Sequence, residues 1–143
     1  MTIIHTFNER VFYDATDAAG VMYQADYLRF MDHARSDFLH ANNFDLGQIL
    51  TEDAMVFAVA NINIQYHAPA KLGQMLSTTA QIIQLGRASI SFHQTVCREQ
   101  QHNSTLETLK LATAEIKLVN VNTETFRPVA IPSALRKVLE RAL

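Results

Sequence analysis

Between Tyr23 and Asn43 the apolar residues recur at helical spacing, and beyond Ala60 they recur at every second position. Tyr27, Phe30, Met31, Ala34 and Phe38 make one stripe, while Arg29, Asp32, His33, Arg35 and Ser36 fill the remaining faces, so a helix is expected from about Tyr23 until Asn42–Asn43 ends it. Ala60, Ile62, Ile64 and Tyr66 then alternate with Asn61, Asn63, Gln65 and His67, a half-buried strand stopped by Pro69. Met75 to Leu85 and Ala88 to Arg98 follow, joined at Gly86–Arg87, with Ile90, Phe92 and Val96 on one side of the latter. After a polar turn at Gln101 to Ser104, Leu106 to Val121 reads as the longest strand. Its alternation slips between Leu111 and Ala112, which predicts a bulge.

A further strand is expected at Thr2 to Tyr13, ending in the β-favouring pair Phe12–Tyr13, and a short helical turn at Asp45 to Leu50. Pro132–Ser133 opens a terminal helix with Leu135, Val138, Leu139 and Ala142 on one face. Strands joined by short turns pair mostly antiparallel, and one long helix with an apolar stripe needs a concave sheet to cover it. The expectation is an α+β domain over residues 1–143: a long central helix wrapped by a curved antiparallel sheet of about five strands, with a short C-terminal helix. Pattern alone leaves other α+β layouts open.

Composition fits one core. Of 143 residues, 48% are apolar and 18% charged, and four glycines and three prolines leave no flexible linker. Such a chain buries roughly 70% of its extended surface. The formal charge of −2 and pI near 6.3 argue against a nucleic-acid or anionic-membrane partner. A phosphate-bearing ligand therefore needs a few local cations. Cys97 is the sole cysteine, so no intrachain disulfide forms, and its place in an alternating strand predicts a buried structural thiol. The first ten residues lack a signal peptide's apolar core, and no stretch nears the roughly 18 apolar residues of a spanning helix. A reducing compartment, most simply the cytoplasm, is expected.

The chemistry-bearing segment is Asp14-Ala-Thr-Asp-Ala-Ala-Gly-Val-Met-Tyr-Gln-Ala-Asp-Tyr27. Asp17 stands in a loop just before a helix start, where unpaired backbone N–H groups and positive partial charge gather. Such an end polarises a carbonyl and stabilises an oxyanion, and a nearby carboxylate serves as general base or nucleophile. Gly20 gives the loop freedom to approach a ligand. An aspartate before a helix is more commonly a cap or a solvated loop residue. Asp14 competes with Asp17, and Asp26 is a candidate N-cap for a helix starting at Tyr27. The six histidines are scattered, with no metal-ligand spacing, so no metal is expected. No G-x-S-x-G, P-loop or G-x-G-x-x-G occurs. Lys71, Arg87, Arg98, Lys110, Lys117 and Arg127 are dispersed.

The run from Arg10 to Arg35 resembles the 4-hydroxybenzoyl-CoA thioesterase family of hot-dog proteins, and more closely its acyl-CoA thioesterases associated with the Tol-Pal system. The likeness lies in a strand, Thr16-Asp17, a small pair ending in Gly20, two apolar residues, an aromatic, and Tyr27-Leu28 leading into Asp32-x-Ala34-Arg35. Val59 to Pro69-Ala70, with its Tyr66-x-x-Pro turn, and Arg127-Pro-x-x-Ile-Pro132 extend it across most of the chain. The resemblance implies hydrolysis of acyl-CoA thioesters, with Asp17 rather than Asp14 as the catalytic carboxylate. Backbone N–H groups around Tyr23 and Gln24 would hold the thioester carbonyl. It also implies a homotetramer of dimers joined edge to edge, pantetheine running between subunits, and Arg87 and Arg127 near the CoA phosphates. CoA is part of the substrate and no other cofactor is implied; acyl carrier protein is a second candidate carrier.

One position departs from the branch. Where many relatives have His after the aromatic, this chain has Gln24, which donates and accepts hydrogen bonds but does not titrate near neutrality. A hot-dog module that binds acyl-CoA or acyl carrier protein without turnover is therefore the alternative reading. A hydratase or dehydratase ranks lower, because no His lies close to Asp17 in sequence.

Overall fold

The computed structural model describes residues 3–143. Strand β1 (Ile4–Arg10) leads through a 3₁₀ turn at Tyr13–Ala15 and a loop into helix α1 (Gln24–Ala41). Helix α2 (Leu46–Glu52) follows, then β2 (Met55–Tyr66), β3 (Met75–Leu85), β4 (Ser89–His102), β5 (Thr105–Asn122) and helix α3 (Ser133–Arg141). The strands form one sheet in the order β1-β3-β4-β5-β2, every neighbour antiparallel. Helix α1 packs across β1, β3 and β4. Its buried Phe30, Met31, Ala34 and Phe38 share one core with Leu76, Ile82, Ile90, Phe92, Val96 and Ile116. Each large side chain so buried stabilises the fold by about 1.5–3 kcal/mol. This is the α+β hot-dog layout expected from the sequence.

Helix α1 ends where Asn42–Asn43 predicted: Asn43 takes φ 68 and the Phe44 N–H returns to the Leu39 carbonyl at 2.9 Å. Asp45 caps α2, accepting from the Gln48 N–H at 3.1 Å. The predicted bulge is present. Val96 pairs with Ala112 and Cys97 with Lys110, so Leu111 is the extra residue, and its carbonyl accepts from the His67 and Ala68 N–H groups. Both Leu111 and Ala112 are buried as a result.

Four expectations shift. β1 stops at Arg10, because its last partner is Met75; Phe12 and Tyr13 leave the sheet and are exposed. β2 starts at Met55 rather than Ala60; Met55 to Val59 is wholly apolar, so alternation there is invisible in the sequence. The polar turn shrinks to Asn103–Ser104, both at positive φ (49 and 66), the geometry of a two-residue hairpin turn. Cys97 is half-buried rather than buried; partial burial raises its thiol pKa, opposed by Lys110.

Candidate active site

The loop between the 3₁₀ turn and α1 folds back on itself as a narrow ladder. The Tyr23 N–H donates to the Ala15 carbonyl at 2.8 Å, Thr16 bridges Met22, and the Asp17 N–H donates to the Val21 carbonyl at 2.9 Å. The Gly20 N–H closes the tip on the Asp17 carbonyl at 3.2 Å, and the turn needs Gly20 at φ +80. The loop is seated on the segment after β2: the Met22 N–H reaches the Ala70 carbonyl at 2.8 Å and the Leu72 N–H the Gly20 carbonyl at 3.2 Å. Asp17 thus stands two ladder steps, roughly 7 Å, from the start of α1. Its carboxylate is exposed, and one oxygen accepts from the Ala19 N–H at 2.8 Å.

Asp14 and Asp17, left open by spacing, separate here, and so does the N-cap candidate Asp26. Asp14 lies 3.7 Å from the Arg29 guanidinium. Asp26 is not the N-cap; α1 begins at Gln24, three residues before Tyr27, so Asp26 falls within its first turn and accepts from Arg29 Nε at 2.8 Å. Tyr23 occupies the N-cap without a side-chain bond. Of these three, only Asp17 has no cation partner among the described residues.

Of the two expected backbone donors, Tyr23 is taken by Ala15, because that bond closes the base of the loop. The Gln24 N–H has no acceptor among the described residues. Two tyrosines brace this point, and the sequence reading missed both roles. The Tyr66 hydroxyl, on β2, donates to the Gln24 carbonyl at 2.8 Å. The Tyr27 hydroxyl accepts from the Ala70 N–H at 2.9 Å, and the two rings meet edge to face at 5.3 Å. Partial burial, and secondarily Tyr27, raises the Tyr66 pKa, so the phenol remains a donor at neutral pH.

One turn along α1 a cavity of about 730 Å³ opens between α1, α2, β2 and the inner sheet face. Leu46, Met55 and Phe57 line it together with Ile90, Phe92 and Ile116, and Tyr66 stays outside. Its α1 wall carries Leu28, Asp32, Arg35 and Leu39, spaced i, i+4, i+7, i+11. That second stripe was readable, but it is masked by the stronger stripe through Phe30 and Ala34.

Arg87 and Arg127 are exposed and make no ion pair among the described residues. The Arg87 carbonyl accepts from the Ile131 N–H at 2.9 Å, and the Arg127 carbonyl from the Asn122 N–H at 3.0 Å. Both therefore sit at the Met55–Asn122 end of the sheet, whereas the Gln24 donor is tied to the Tyr66–Ala112 end. Ten residues of β5 separate the ends, roughly 33 Å along the strand. Within one chain these arginines and Asp17 do not meet. Among the described residues no cluster of three His, Cys, Asp or Glu side chains could hold a metal, and no helix is long and apolar enough to cross a membrane.

Residues 11–139 match the family described as the thioesterase-like superfamily. An acyl-CoA thioesterase, YbgC, of Helicobacter pylori is 33% identical over 132 residues, covering 91% of this chain and 96% of that protein. The Haemophilus influenzae acyl-CoA thioesterase YbgC is 42% identical over 67 residues, 47% of this chain; the match spans about half, 49%, of that relative's length. The crystal structure of YbaW, a probable thioesterase from Escherichia coli, superposes with a TM-score of 0.75 at 31% identity, covering 96% of this chain and 98% of that one. The chain, with its curved five-stranded sheet around α1, belongs to the thioesterase-like superfamily.

Proposed function

We propose that the protein hydrolyses acyl-CoA thioesters to free CoA and a carboxylic acid. The observation that carries this is one arrangement: a cation-free Asp17 on a loop whose base opens into the unpaired Gln24 N–H, with an apolar cavity one helical turn further on. The Gln24 N–H, at the positive end of α1, donates to the thioester oxygen as it gains charge. Asp17 either removes a proton from the attacking water or attacks the carbonyl itself. In both routes the C–S bond breaks, CoA leaves as the thiol after taking up a proton, and water supplies the new oxygen of the acid. Acyl-CoA thioesterase is also the printed activity of the YbgC relatives.

The same reading includes a dimer. β2 has β5 on one side only, carries no charged residue over twelve positions, and exposes Val56, Val59, Ile62 and Tyr66. An open, uncharged, apolar edge is a template for a second strand. Antiparallel pairing of two β2 strands brings the Met55 end of one chain beside the Tyr66 end of the other. Arg87 and Arg127 of the partner then approach the Asp17 loop, where the CoA phosphates would lie, and two such dimers make the homotetramer. A cytoplasmic site of action, and acyl carrier protein as a second carrier, belong to this proposal. So does the absence of any cofactor beyond CoA itself.

The test is thiol release across a panel of acyl-CoA substrates, wild type beside Asp17→Asn. Losing the general base or nucleophile should lower turnover by at least about two orders of magnitude. Near-wild-type hydrolysis by a folded Asp17→Asn protein rejects the assignment. Tight acyl-CoA binding without any thiol release selects the non-catalytic binding reading instead.

A further inference from the structure

The cavity beyond the Gln24 donor is apolar on the sides formed by α2, β2 and the sheet, but its α1 side holds the polar Ser36 and the charged Arg29, Asp32 and Arg35. Arg29 is already engaged by Asp26 at 2.8 Å and Asp14 at 3.7 Å, both outside the cavity. Arg35 is different. It is 7% exposed, its remaining surface faces the cavity, and burial lowers its pKa against the opposing pull of Asp32. Its orientation is set from behind: one guanidinium nitrogen donates to Gln94 Oε1 at 2.9 Å. Gln94, fully buried, is itself pinned through Nε2 to the Met31 and Thr79 carbonyls at 2.9 and 3.1 Å. Among the described residues the only anion on Arg35 is Asp32, at a long 3.3 Å, and the Asp32 side chain is 62% exposed. A guanidinium has five N–H donors, and these two bonds leave others without a partner on a side chain that lines a mostly apolar cavity.

We infer that Arg35 anchors acyl groups that end in a carboxylate, so that the preferred substrates are CoA half-thioesters of medium-chain dicarboxylic acids. The inference rests on the thioesterase reading and adds the substrate class. The planar guanidinium fork matches a carboxylate in two-pronged fashion, and the exposed Asp32 can swing into solvent as the substrate's carboxylate takes its place. Helical side chains lean toward the N-terminus, which puts the Arg35 head near the level of Asp32. Asp32 lies eight residues, roughly 12 Å, up the helix from Gln24. An acyl chain held at its thioester by Gln24 must span that distance, which selects medium over short chains.

The experiment compares sebacoyl-CoA, ω-hydroxydecanoyl-CoA and decanoyl-CoA, all of one chain length, by thiol release. Calorimetric binding of their non-hydrolysable thioether analogues runs alongside. The wild type should favour the carboxylate-ended acyl group over the methyl-ended one by at least about tenfold in kcat/KM and in affinity, as expected for a charge-assisted hydrogen bond. Arg35→Met should bring that ratio close to one, and Arg35→Lys should restore part of it. Asp32→Asn, on an exposed side chain, should raise the ratio by removing the competing anion, and it keeps the test open if Arg35→Met does not fold. A wild type that prefers the methyl- or hydroxyl-ended chain, or a ratio unmoved by Asp32→Asn, overturns the inference. Absence of thiol release from all three overturns only the thioesterase reading; the ranking of thioether affinities then still decides the role of Arg35.

Discussion

β1 and β2 are the outer strands of the same sheet, and the chain treats their open sides in opposite ways. β1 is short, ends in Glu9 and Arg10, and is strapped to α1 by two side-chain hydrogen bonds, between His5 and Asp37 at 2.6 Å and between His33 and Glu9 at 2.9 Å. Charge and a covering helix are the usual means of closing an edge. β2 is twelve residues long without a charged residue, and it exposes Val56, Val59, Ile62 and Tyr66 among uncharged polar residues. In the proposed dimer the two edges have different tasks: one finishes the domain, and the other receives the second copy. Only the β2 edge is wired to the candidate site, through the Tyr66 hydroxyl on the Gln24 carbonyl.

The sharpest way to break this contrast is to close the open edge. Asn61→Lys with Asn63→Lys puts exposed like charges where two β2 strands would meet, away from the cavity lining. Sedimentation should show the proposed dimer fall to monomer, and kcat/KM should drop by about a hundredfold, since each site then loses its partner's arginines. Thr6→Lys on β1 should leave the mass unchanged. An active monomer would sink the pairing proposal.

Cutting the wire from edge to site is the next test. Tyr66→Phe should lower kcat by about tenfold with little change in KM, because the hydroxyl orients the peptide beside the carbonyl-binding donor and touches no substrate itself. A matching check is the phenolate absorbance: one tyrosine of the wild type should ionise above the ordinary value near 10, and that transition should vanish in Tyr66→Phe. If KM rises instead while kcat holds, Tyr66 binds substrate and does not position Gln24.

The smallest effect belongs to the closed edge. Asp37→Ala removes one strap whose members are partly exposed, so chemical denaturation should register a loss under about 1 kcal/mol, with assembly and activity intact. A loss several times larger would mean that β1 depends on α1 more than on its ladder with β3.

Residues whose pattern is local were readable in advance. Met75–Leu85 emerges with the predicted bounds, its alternation holding from Leu76 to Ile82 before a register shift at Ile82/Gln84, and the parity slip at Leu111 announces the bulge. The start of β2 was hidden by an all-apolar run that fits strand and buried helix equally. Phe12 and Tyr13 have strand-forming side chains but no strand beside them, and pairing outweighs propensity. At the candidate site, spacing left Asp14 and Asp17 equivalent and offered Asp26 as an N-cap; Arg29, beside both Asp14 and Asp26, is what distinguishes Asp17. The Tyr66–Gln24 bond joins residues 42 apart, and nothing in either neighbourhood encodes it.

The extra residue at Leu111 has a consequence for how the chain tolerates insertion and deletion. On β5 the inward positions are odd up to Leu111 and even from Ala112 through Ala114, Ile116, Leu118 and Asn120. Losing one residue between Asn103 and Thr108 shortens an arm exposed on both faces, and the core residues keep their sides. Losing one between Thr113 and Val119 turns the residues beyond it inside out. The bulge thus divides β5 into a stretch where length is free to vary between relatives and a stretch where it is not.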